Sequence, residues 1–264
     1  MNSDALRGKT ALVTGASSGL GADFARQLAA MGCNLILVAR RDGWLQAVRE
    51  EILKQHAVKI EIMAMDLSEP DSPQVLYERV QAAGLNVDVL VNNAGFGLYG
   101  AHMSIPWERE HEMLSLDVVS LMQLTKLFAR GMLARDFGYI LQVSSVAGYQ
   151  PSPTYAAYAA AKAFVLLFGE AFNFELRGTG VSCTVLSPGI TATGFLKVAG
   201  QQASFYQRRV MMQSPDVVRI GLKAMLKRRP SVIAGWINAL IAWSTRFVPR
   251  RWTAAIAYVF MTVQ

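Results

Sequence analysis

A chain of 264 residues, 52% of them hydrophobic, is long enough to bury a large α/β core. Its two cysteines, Cys33 and Cys183, argue against a disulfide framework or a cysteine-based zinc site and suit a reducing compartment, and the three histidines lack metal-ligand spacing, so no metal is expected. The net charge of +7 is uneven: from Ile190 onward eleven Lys and Arg stand against one acid, Asp216, while the residues before it sum to −3.

The N-terminus, MNSDALRGKTALVTG, has no apolar core of a secretory signal, and no apolar run reaches the ~20 residues of a spanning helix. A cytoplasmic protein is expected, with contact to a membrane surface through the basic C-terminal third as an added reading.

Apolar runs and helical patterns alternate along the chain. Thr10–Thr14 reads as a buried strand and Leu20–Met31 as a helix. Asn34–Ala39 and Lys59–Met65 are strands, each followed by a helix, Gly43–Gln55 and Asp71–Ala83. Val87–Asn92 is a strand, and one long helix covers Trp107–Arg135. Tyr139–Ser144 and Val181–Ser187 are strands on either side of a helix over Tyr155–Arg177. Pro188–Met212 reads as a long loop with short helices, Pro215–Lys227 as a helix and Ser231–Ala234 as a last strand. Continuous Val/Ile/Leu runs suit strands buried on both faces, and strict alternation with helices implies a parallel sheet with right-handed crossovers. The expected fold is α/β: a doubly wound parallel sheet (Rossmann fold) of about seven strands with a C-terminal helical extension. One domain, 1–264, is expected, with a core over about 8–192, a lid over about 188–214 and the extension over about 235–264.

Directly after the first strand comes TGASSGLG. Glycines where a strand gives way to a helix let the backbone approach a pyrophosphate, which meets the N–H donors and positive dipole end of the helix. The loop set is Gly15, Ser17, Ser18, Gly19, Leu20 and Gly21. At the end of the second strand an NAD enzyme wants an acid for the ribose 2′-hydroxyl. Here Ala39 stands in that place and Arg40 and Arg41 follow. A guanidinium matches a 2′-phosphate, so NADP(H) is the expected cofactor, with Arg40 favoured over Arg41.

The spacing TGxxxGxG resembles the short-chain dehydrogenase/reductase family, and further motifs of that family follow. The resemblance implies that Asp66 and Leu67, after the third strand, meet the adenine. Asn93, Ala94 and Gly95 in the NNAG sequence would support the sheet and line the adenine-ribose side. Pro188, Gly189 and Thr191 in PGIT would meet the nicotinamide. The match is firm over roughly residues 8–192 and loose beyond.

The stretch YAAYAAAK holds two tyrosines. Tyr158 and Lys162 are at i, i+4, about 6 Å apart along a helix, whereas Tyr155 is about 10 Å from the lysine. With Ser145 thirteen residues before Tyr158, the arrangement is similar to the family's Ser…YxxxK signature, which selects Tyr158. The implied chemistry is proton donation by Tyr158 to a carbonyl oxygen, Ser145 holding that oxygen, and Lys162 lowering the phenol's pKa and holding the nicotinamide ribose. Family members complete a tetrad with an asparagine, where this chain has Asp117. Its charge is expected to raise the lysine's pKa and blunt the effect on Tyr158.

In the extension, Trp236, Ile237, Leu240, Ile241 and Trp243 recur at helical spacing. Three readings remain open: a lid or oligomer surface, interfacial membrane attachment, and a landing surface for an anionic carrier such as coenzyme A or an acyl carrier protein. No nucleic-acid recognition motif is present. The expected function is an NADPH-dependent carbonyl reductase acting on a small-molecule ketone, a 3-oxoacyl thioester or another lipophilic carbonyl. A homodimer or homotetramer is implied by the resemblance. The alternative is a non-catalytic NADP(H)-binding sensor or assembly protein, with Asp117 marking decay.

Overall fold

A computed structural model describes residues 3–201 and 211–262. The first half lays down strands and helices in turn: β1 (Thr10–Thr14), α1 (Gly19–Ala30), β2 (Asn34–Ala39), α2 (Asp42–Leu53), β3 (Ile60–Ala64), α3 (Ser72–Ala82) and β4 (Val89–Asn92). The chain then crosses the sheet through α4 (Trp107–Leu114), a π-helical turn (Ser115–Ser120) and α5 (Leu121–Ala134) to β5 (Gly138–Val143). A 3₁₀ turn (Val146–Tyr149) leads into α6 (Ala156–Glu175) and β6 (Val181–Ser187). Beyond lie β7 (Thr191–Ala192), α7 (Phe195–Ala199), β8 (Met212–Gln213), α8 (Ser214–Leu226), β9 (Ser231–Ile233), α9 (Trp236–Ser244) and α10 (Arg250–Thr262).

Seven strands form one parallel sheet in the order β3-β2-β1-β4-β5-β6-β9. β1, β4, β5 and β6 are buried along nearly their whole length because helices cover both faces. Phe24 and Leu28 of α1, Leu45 of α2 and Leu222 of α8 pack one face. Leu76 of α3 and Leu124, Phe128 and Met132 of α5 pack the other. Each such side chain contributes about 1.5–3 kcal/mol of hydrophobic stabilisation. Glycines let the outer helices approach β6 closely: a Cβ on Gly169 of α6 would lie 2.3 Å from Val185, and one on Gly221 of α8 2.7 Å from Leu186.

β1 lies between β2 and β4, so the strand order reverses there, and in open α/β sheets a ligand crevice lies at the C-terminal ends of the strands flanking such a reversal. The expected seven-stranded doubly wound fold is the one observed. One element differs. The helix expected over Trp107–Arg135 is interrupted by the π-turn, which inserts an extra residue and buries Asp117 and Ser120. The loop expected after Ser187 contains the short β7–β8 pair and α7. Residues 202–210, part of the expected lid, lie outside the described residues.

Candidate active site

Gly15 and Gly19 hold φ of +66° and +54° after β1, values that favour glycine. Gly21 meets a different demand, since a Cβ there would sit 2.1 Å from the Gly15 carbonyl oxygen. Ser18 is extended and no side chain caps α1, so the helix N-terminus keeps the donors a phosphate requires. The loop, its glycines and the uncapped helix therefore fit a dinucleotide.

At the end of β2 the two arginines part. Arg41 Nη2 donates to Ser17 Oγ at 3.5 Å and its guanidinium stacks over Trp44. Arg40 pairs with Asp66 at 3.3 Å and Glu112 at 3.2 Å and is largely exposed. Burial works to raise the pKa of Asp66, but two hydrogen bonds from Ser68 and the Arg40 guanidinium hold it below the usual carboxylate range. Leu67 beside it is buried.

Asn93 does not direct its side chain toward the crevice. Its amide donates to the Thr14 carbonyl at 2.9 Å, and the Thr14 hydroxyl accepts from the Asn93 and Ala94 N–H groups. Asn93 thus ties the end of β1 to the end of β4, in keeping with the expected support of the sheet. Asn92, one residue earlier, donates to Thr125 and Gln142 inside the core. Gly95 is needed for close approach: a Cβ there would lie 2.7 Å from Asp117 Oδ1.

The end of β5 is fastened to α6. Ser144 Oγ donates to the Lys162 carbonyl at 2.7 Å, and a Cβ on Gly148 would lie 2.8 Å from the same carbonyl. Ser145 begins the 3₁₀ turn, its hydroxyl accepting from Ala147 N–H. Tyr158 and Lys162 are both buried on α6, with the ammonium 5.6 Å from the phenol ring centre. Lys162 Nζ donates to the Val143 carbonyl at 3.2 Å and stands 2.8 Å from Asp117 Oδ2. That second contact is a buried ion pair. Asp117 Oδ1 accepts from Phe96 N–H at 3.1 Å.

Burial raises the pKa of Tyr158; Lys162 pulls it down, Asp117 pushes it up and Ser145 eases it down, and the net direction is upward. Lys162 thus lowers the phenol's pKa and Asp117 blunts that effect, as expected, but the lost hydration of a buried phenolate outweighs the lysine. Burial acts to lower the pKa of Lys162, yet Asp117 and Tyr158 carry it upward, as the sequence suggests. Burial also raises that of Asp117 against the pull of Lys162 and the Phe96 N–H.

An aromatic wall covers Tyr158. Phe195 of α7 lies 5.4 Å from its ring and Tyr155 5.7 Å. Tyr155 also stacks near Tyr99 and donates its hydroxyl to Gln201 Oε1 at 2.8 Å. α7 is held over the site by a hydrogen bond from Tyr99 N–H to the Ala199 carbonyl. On the far side Thr191 is buried and donates to the Gly189 carbonyl, while the Pro188 carbonyl accepts from Val146 N–H. Gly189 packs against Asn238 of α9. Sequence reading misses Thr14, Ser144, Gln201 and Asn238. The first two adjoin named motifs; nothing local marks the last two.

The sequence matches the short chain dehydrogenase family over residues 9–204. The chain belongs to that family. A very-long-chain 3-oxoacyl-CoA reductase from Anas platyrhynchos is 29% identical over 90% of this chain and 77% of its own length. A solved structure from a study of 7beta-hydroxysteroid dehydrogenase stereoselectivity aligns with a TM-score of 0.88 at 26% identity, covering 97% of this short-chain dehydrogenase and 99% of its own chain. A short-chain dehydrogenase from Sphingobium yanoikuyae in complex with NADPH aligns with a TM-score of 0.81 at 27% identity, over 90% and 94% of the two chains. The protein is an oxidoreductase of the short-chain type with a Rossmann fold.

Proposed function

We propose that the protein is an NADPH-dependent ketone reductase, reversible as an alcohol dehydrogenase, acting on a lipophilic carbonyl. The observation that carries this reading is a buried Tyr158–Lys162 pair beside Ser145, walled by Phe195, Tyr155 and Tyr99. When bound, NADPH supplies the hydride. Tyr158 gives its proton to the carbonyl oxygen, and Ser145 hydrogen-bonds the same oxygen. Lys162 keeps a charge near the phenol and holds the nicotinamide ribose. Asp117 fixes the position of that ammonium and limits how far it lowers the phenol's pKa.

The dinucleotide would lie along Gly15 to Gly21, with Ser17 and Ser18 adding hydroxyl donors. Arg40 and Arg41 would take the 2′-phosphate, and Asp66 with Leu67 the adenine. Ala94 and Gly95 would line the ribose, and Pro188, Gly189 and Thr191 the nicotinamide. The NADPH-bound relative supports the cofactor, and the acyl-CoA and hydroxysteroid relatives support a lipophilic substrate. We read the whole chain as one domain that works as a homo-oligomer. The exposed apolar side chains Leu167 and Phe174 of α6 are in keeping with a subunit contact.

The test is NADPH consumption over a panel of small ketones, steroids and 3-oxoacyl thioesters. Wild type is expected to turn over at least one class. Tyr158→Phe is expected to lose roughly 10²–10⁴-fold in kcat while still binding NADPH. Equal turnover by both would remove Tyr158 from the chemistry. The direct Asp117–Lys162 ion pair favours a second reading, a binding protein with a detuned site. That reading gains if NADPH binds, wild type is inert and Asp117→Asn restores turnover.

A further inference from the structure

A helix on a soluble surface usually turns its large apolar residues inward. α9 and α10 do the reverse. Ala242, Thr253 and Ala257 are buried, while Trp236, Leu240, Trp243, Trp252 and Ile256 are between 48% and 77% exposed. Phe247, on the turn joining the helices, is exposed as well. Isolated surface hydrophobics are ordinary, but a sustained run of large ones over two consecutive helices marks an interaction surface. Arg246, Arg250 and Arg251 sit at the corner between the helices and are exposed. Beyond Asp216 the chain contains no acid at all.

We propose that α9 and α10 dock the protein onto an anionic lipid surface, lying in its plane. Nine and thirteen residues give helices of roughly 14 and 20 Å, short of a hydrocarbon core of about 30 Å. Among the described residues no helix is long and apolar enough to cross a membrane. Tryptophans seat at the headgroup boundary, and arginines reach the phosphates while their stems stay among apolar groups. A second copy of the chain suits this face poorly. A two-fold contact sets a patch against itself, and neither α9, α10 nor the turn between them carries an acid that could pair with the arginines of a second copy.

The structure also divides the basic third. Arg228 donates to the carbonyls of Thr179 and Gly180, before the start of β6, and is not part of the α9–α10 corner. The first turn of α9, not the corner, adjoins the candidate site, since Asn238 lies against Gly189. A lipophilic carbonyl dissolved in the bilayer would thereby reach Tyr158 from the docked side. That delivery rests on the reductase reading; the docking itself does not.

The experiment is co-sedimentation with vesicles of equimolar phosphatidylcholine and phosphatidylglycerol, against vesicles of phosphatidylcholine alone. Wild type is expected to pellet with the anionic vesicles at low salt, with a blue shift of tryptophan emission. Release is expected at ~1 M salt, where the Debye length shrinks to about 3 Å. The triple variant R246Q/R250Q/R251Q is expected to lose roughly a hundredfold in partitioning. The variant W236S/W243S/W252S is expected to stay in the supernatant. Cooperative thermal melting of both variants confirms that they remain folded. The proposal fails if wild type stays in the supernatant with anionic vesicles at low salt, or if the arginine variant pellets like wild type. It also fails if the tryptophan variant converts a dimer to a monomer by light scattering, which would assign the face to a second copy. No arm requires turnover, so an inert enzyme leaves the vesicle result intact.

Discussion

Lys162 is shared between two acids of different strength, Asp117 and the phenol of Tyr158. Tyr158 must be a phenol to reduce a ketone and a phenolate to oxidise an alcohol. Its pKa lies above the ordinary value, burial being the main cause and Asp117 the charged one. Reduction is therefore expected to be flat through neutral pH. Oxidation should climb with pH through the raised pKa. Asp117→Asn removes the charge that disfavours phenolate, so the alkaline limb of kcat/KM for oxidation should move to lower pH. A limb that stays in place would mean that the carboxylate is not felt at the phenol. Asp117→Leu is a harsher change. It strands a buried ammonium and is expected to cost about 3–5 kcal/mol of stability, read by chemical denaturation.

At the scale of elements, two glycines separate packing from conformational freedom. Gly21 in α1 faces the Gly15 carbonyl, so Gly21→Ala forces the phosphate loop open. A loss of about 1–3 kcal/mol is expected, together with weakened NADPH binding by fluorescence titration. Gly43 in α2 has nothing within 4 Å of an added Cβ. Gly43→Ala should stabilise by about 0.5–1 kcal/mol, with binding unchanged. A neutral Gly21→Ala would show that the β1–α1 turn is softer than its contacts imply. Periodicity makes these elements legible: β1, β2 and β6 read as buried Val/Ile/Leu runs and appear where expected. The π-turn over Ser115–Ser120 is not legible, because SLDVVS carries no glycine or proline to mark it. The i+4 spacing picks Tyr158, and the structure sets Tyr155 in the aromatic wall over it. What that spacing cannot carry is the Asp117–Lys162 contact, which requires α6 to be set against the π-turn. Nor does it carry the net pKa of Tyr158, which follows from burial by residues far apart in sequence.

The whole molecule converges on one edge of its sheet. The ends of β1, β2, β4, β5 and β6 each supply a segment of the candidate site, so a dinucleotide bound there would tie most of the sheet together. A ligand that binds only the folded state stabilises it by mass action, about 2.7 kcal/mol at a hundredfold excess over Kd. For a chain of this size each kcal/mol raises Tm by roughly 2–4 °C, so saturating NADPH should lift the melting temperature by roughly 5–10 °C. NADH at equal concentration should lift it less, because it lacks the 2′-phosphate that Arg40 and Arg41 would meet. Arg41 stays against Ser17 of the glycine loop, whereas Arg40 must leave Asp66 and Glu112. Arg41→Ala is therefore expected to erase more of the NADPH-over-NADH difference than Arg40→Ala, and the double variant should melt alike in both. Equal shifts from the two cofactors in wild type would remove the arginines from cofactor choice. A larger effect of Arg40→Ala would mean that the guanidinium turns from its carboxylate partners when the phosphate arrives.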